Sequence, residues 1–113
     1  MNDDRWFRMC QWIHSNIGLK KFYGLDYIDP CTVQLIHNLS VDEMMGMYSW
    51  NNDIVFERDG NNYTLRATSF YHGEMEESHN YYGASWRDVW LQLVMWDRHG
   101  MEWKVDVSKW VKA

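Results

Sequence analysis

Apolar residues recur every three to four positions at the start of the chain. Trp6, Cys10, Ile13, His14 and Ile17 share one face at ~100° per residue, which predicts an amphipathic helix over 4–17. Asp3 and Asp4 favour its N-terminus, Gly18 can end it, and Lys20 and Lys21 follow where the helix dipole is negative. The stretch "LKKFYGLDYI" carries no such period and is expected to be irregular or a short strand. Asp29-Pro30 then reads as a helix start for "CTVQLIHNL", with proline at the first helical position. Ser40-Val41-Asp42-Glu43 has the spacing of a capping box and predicts a third helix through "MMGMYSW", which Gly46 weakens.

From there the period changes to two. Ile54 to Arg58 and Tyr63 to Tyr71 are rich in β-branched and aromatic residues and flank "DGNN", the pattern of a hairpin. "EMEESHNYYG" is so polar that it is expected to be a loop or a fraying strand end. Ser85 caps the next helix, with Asp88 as a capping-box acid, and that helix runs to about Arg98 before Gly100 ends it. Met101, Trp103, Val105 and Val107 alternate with Glu102, Lys104 and Asp106, which predicts a half-buried last strand. The expected fold is α+β in the order α-α-α-β-β-α-β, a small three-stranded antiparallel sheet packed against helices. With no linker or repeat in 113 residues, one globular domain over 1–113 is expected.

The C-terminal helix sharpens a question of exposure. Trp86, Trp90, Leu93, Val89 and Trp96 form one broad apolar face, as a core-facing helix should. Leu91 and Met95 lie roughly 140° and 180° from Trp86, on the opposite side. Either this helix is covered on both sides or its back is a surface for a partner. The chain also holds eight tryptophans, seven tyrosines and eight methionines. That is more than a core of this size needs, and it predicts that some are displayed, Met44, Met45 and Met47 among them.

Charge narrows the function classes. The net charge is −5, and residues 41–80 alone carry −6, from eight acids against Arg58 and Arg66. This opposes direct nucleic-acid binding, which relies on Lys/Arg contacts to phosphate, and suits docking onto a basic protein surface. No apolar run approaches the ~20 residues of a membrane span, and the acidic N-terminus lacks a signal-peptide plan. A cytoplasmic protein with Cys10 and Cys31 as reduced, buried thiols is expected.

Candidate chemistry is sparse. Cys10, His14, Cys31 and His37 are metal-ligand types, but Cys31 and His37 would sit ~240° apart on a helix, so no metal is expected there. "HGEMEESH" brings His72, Glu74, Glu76, Glu77 and His79 together. That set makes an enzyme or metal-binding domain centred on His72–His79 an alternative. No nucleophile elbow and no phosphate-cradling glycine loop is present, and no cofactor is expected.

The runs "IVFERDGNNYTLRATSF" and "GASWRDVWLQLVMWDR" resemble the strand–strand–helix segment of HicB-like antitoxin domains. The likeness spans under half the chain, and "YHGEMEESHNYY" replaces that family's proline-containing segment. In character the chain is also similar to small phage inhibitors, including anti-CRISPR and toxin-immunity proteins. The favoured expectation is a non-enzymatic inhibitor that blocks a basic surface of a partner such as a nucleic-acid-handling enzyme. Glu74, Glu76 and Glu77 would pair with Lys/Arg, and Tyr81, Tyr82, Leu91, Met95, Met44, Met45 and Met47 would supply apolar anchors. A further alternative is a homo-oligomer, such as a homodimer, joined through the Leu91/Met95 side.

Overall fold

The computed structural model describes residues 3–27, 29, 35–49, 53–71 and 74–113, without the side chains of residues 3–4, 69–71 and 75–77. Helix α1 is Asp3–Asn16, and its apolar stripe buries Trp6, Met9, Cys10 and Ile13. A five-residue helix, α2 (Leu19–Tyr23), follows where irregular chain or a strand was expected. Its single turn is closed by Gly24 in the left-handed region, and Phe22 is its buried anchor. Of the expected second helix, only a 3-10 turn over Ile36–Asn38 lies within the described residues. Helix α3 is Val41–Met47, started by the Ser40/Glu43 capping box in full.

Strands β1 (Asp53–Asp59) and β2 (Asn62–Tyr71) form the expected hairpin, paired from Asp53↔Thr68 to Asp59↔Asn62. Gly60 takes a φ of 60° at the first turn position, which a glycine adopts without strain. The third strand is the polar segment, β3 (Glu74–Gly83), and it pairs antiparallel with β2. The sheet order is therefore β1-β2-β3, and both β1 and β3 are edges. The register shifts between Ser69 and Phe70, where β3 has an extra residue opposite β2.

Helix α4 (Trp86–His99) begins at Ser85, whose Oγ accepts from the Asp88 N–H at 3.2 Å, and ends at left-handed Gly100. The last expected strand is in fact a hairpin. Strand β4 (Met101–Lys104) turns at residues 105–108 and returns as β5 (Lys109–Lys112), a two-stranded sheet of its own. Val105 and Val107 continue the alternation of β4, yet they lie in the turn and are exposed. Trp103 faces Trp110 across this hairpin with ring centroids 5.4 Å apart.

These elements wrap α4. Strands β2 and β3 cover one side of it, while α3 and β4 pack against it elsewhere. Helix α1 reaches it through Arg5–Asp88 and through Arg87 over the Trp6 ring at 4.4 Å. As a result Val89 through Met95 are all buried, including polar Gln92. Leu91 and Met95 are both 0 % exposed, so the surface expected on the back of this helix does not exist. The helix is covered on both sides.

Candidate functional site

Most of the site residues expected from sequence belong to β3. Glu74 is exposed at its start and Tyr82 near its end, at 63 %. Glu76 and Glu77 lie in the β3 backbone, but their side chains are outside the described residues, as is all of His72. Tyr81 turns the other way and is buried on the inner face, so it is no surface anchor. Met44 is fully buried, and Met45 and Met47 pack half-buried against the core. These methionines hold α3 to the fold and are not displayed. Nor are the described tryptophans: Trp6, Trp90, Trp103 and Trp110 are buried, and Trp12, Trp86 and Trp96 are half-buried.

The acidic third of the chain folds as α3 and the three-stranded sheet. Along β1, Asp53, Val55, Glu57 and Asp59 alternate onto the face away from α4, while Phe56 points inward to the Trp86 and Trp90 rings. All four outward residues are exposed. In register across the sheet, Val55 stands beside Arg66 and Asn80, and Glu57 beside Thr64 and Tyr82. Arg66 Nε donates to Asn80 Oδ1 at 3.2 Å. Among the described residues no helix or strand covers this face, and Val55 and Tyr82 are its apolar points.

No known family, curated protein or solved structure matches this chain. What the site can do therefore rests on its own chemistry. The strand–strand–helix likeness noted above is here strand–strand–strand–helix, because β3 occupies the intervening polar segment.

Behind β3 lies a cleft of about 440 Å³. His79 and Tyr81 project into it from β3, Trp96 from α4, and Glu102 and Trp103 from β4. The His79 and Trp96 rings are in contact, with centroids 4.0 Å apart. Its inner end is closed by a polar cluster that the sequence did not disclose. Asp88, only 2 % exposed, meets Arg5 Nε at 2.6 Å and accepts from Gln92 Nε2 at 2.7 Å. Gln92 Nε2 and Arg5 Nη2 both donate to the Tyr82 carbonyl, at 2.9 and 3.2 Å. Burial pushes the Asp88 carboxyl above its usual range, against the pull of Arg5 and of hydrogen bonds from Gln92 and Ala84. Asp88 was expected to serve as the capping-box acid of its own helix. Its carboxylate instead holds Arg5 of α1 and Gln92 of α4, which in turn bind the Tyr82 carbonyl of β3.

The metal candidates separate. His14 and His37 stack at 5.0 Å, and His14 Nε2 accepts the Ile36 N–H at 3.3 Å. Cys10, by contrast, is buried toward Arg87 and Asp88, and burial pushes its thiol up to about 12, far from a reactive thiolate. Cys31 lies outside the described residues. Glu74 and His79 are five positions apart on one strand, ~16 Å, so they share no first coordination sphere. Among the described residues no three metal-ligating side chains converge.

Proposed function

We propose that this protein is a binding inhibitor that captures a basic surface of another protein through its open acidic sheet. The observation that carries this reading is the outward face of β1, where Asp53, Glu57 and Asp59 line a sheet edge that no other described strand pairs, around an exposed Val55. An edge strand invites pairing, and its charge decides with what. Two copies of β1 set antiparallel would oppose acid to acid, which disfavours self-association along this edge. A lysine- or arginine-rich surface would gain both charge complementarity and the apolar contacts of Val55 and Tyr82. The partner class is a protein with a basic face, such as a nucleic-acid-handling enzyme, and the mode of action is to occlude that face in the manner of anti-defence or immunity proteins.

Affinity capture from host cells with the intact chain and with D53K/E57K/D59K tests this. The substituted side chains are exposed, so the variant should fold with an unchanged circular dichroism spectrum. A basic protein retained by the wild type and lost from the variant is the expected result. Equal retention by both would remove the sheet from the account.

A further inference from the structure

We infer that the cleft behind β3 receives an arginine side chain from an extended segment of the partner, laid along the open edge of β3. This rests on the reading of the protein as a captor of basic surfaces and names what its second contact would recognise.

Three features of the cleft select the ligand. The first is its walls: Trp96, Trp103, Tyr81 and His79 line it, and aromatic rings attract a cation and stack well against a planar guanidinium. The second is its charge. Arg5 is the cation in the lining, and it is already matched by Asp88 at 2.6 Å and by the Tyr82 carbonyl. Among the described residues Glu102 is the acidic side chain in the lining. Its side chain is 44 % exposed, and its contact with Lys104 at 3.0 Å is a surface pair worth little. An anion would be repelled by Glu102, whereas a guanidinium would complement its charge. The third is the backbone. Tyr82 directs its carbonyl away from β2, toward Arg5 and Gln92. Peptide groups alternate in direction along an antiparallel strand, so Asn80 and Ser78 also direct theirs to the open side. Among the described residues no strand occupies that side, and Asn80 lines the cleft. An added strand would find hydrogen-bond partners there, with the cleft as the pocket for one of its alternate side chains. The volume of about 440 Å³ lies within the range of specific ligand pockets.

The test is a titration of the full-length 15N-labelled protein with a short capped peptide, arginine at its centre between β-branched residues. A second peptide carries citrulline there, which keeps the shape and removes the charge. The arginine peptide should shift the Ser78 and Asn80 amides and the Trp96 and Trp103 indoles together. The citrulline peptide should bind at least about tenfold more weakly, and Glu102→Gln should lower affinity for arginine several-fold with the spectrum otherwise intact. No shift, equal binding of the two peptides, shifts confined to β1, or the same shifts with inorganic phosphate would each overturn the inference. The two readings fail separately. Loss of capture in D53K/E57K/D59K with a silent cleft would sink only the arginine site, and a responsive cleft with normal capture would sink only the β1 surface.

Discussion

Gly83 has no room for a side chain. A Cβ there would sit 2.6 Å from Cγ and 2.7 Å from Oδ1 of Asp88. Asp88 cannot yield, because it is buried on a helix and held by Arg5 and Gln92. Gly83→Ala should therefore destabilise the protein by about 1–3 kcal/mol, measured by urea unfolding. An unchanged midpoint would mean that the Asp88 cluster is looser than described. Histidine titration gives a second residue-scale outcome. Burial lowers the pKa of His14, with a further push from His37, and burial likewise lowers that of His99. A histidine whose folded pKa lies below its unfolded value of 6.5 contributes full stability above 6.5, and this is lost as pH falls through the folded value. Melting temperature should thus drop between pH 7.5 and 5.5. His14→Gln, which keeps an acceptor for the Ile36 N–H, should make that drop smaller; an identical drop would exclude His14 as a source. At this scale the sequence disclosed caps well and burial poorly. Ser40, Ser85 and Gly100 act as their local context dictates. The tryptophans looked too many for a core of this size, yet a buried indole needs only one acceptor for its N–H. Trp6 and Trp110 donate to the backbone carbonyls of His37 and Met9.

At the scale of elements, local signals were legible and layer assignments were not. The β1–β2 hairpin follows from its turn, and α4 follows from its period and its ends. Strand β3 was hidden because, among its described side chains, Glu74, Ser78, Asn80 and Tyr82 are exposed and only Tyr81 of the inward ones is a buried apolar residue, so it lacks the apolar alternation of a strand packed on a core. The β4–β5 turn was hidden because Val105 and Val107 alternate as strand residues do while lying exposed in it. Helix α4 carries the sharpest lesson, since a helical wheel gives the angle of Leu91 and Met95 but not the number of layers around them. Their complete burial predicts that Leu91→Ala costs about 2–5 kcal/mol of stability, seen as a lower denaturant midpoint. A variant as stable as the wild type, with altered association, would instead return these residues to the surface.

For the whole molecule, charge is distributed by layer. The acid-rich residues 41–80 form the sheet and α3, and the exposed apolar points Val55 and Tyr82 lie within that acidic face. Among the described residues no helix is long and apolar enough to cross a membrane. The charge imbalance was legible in the sequence. Which side of the fold it would occupy was not, because that depends on β3 completing the sheet and on α4 taking up the inner face. If the acidic face steers capture, its effect belongs in the association rate. The central measurement is the association rate of the captured partner with the intact protein and with D53K/E57K/D59K, at low and at high salt. The wild-type rate should fall about tenfold or more with rising salt, and the variant should be slow and nearly insensitive to it. Equal rates with equal salt dependence would contradict the account.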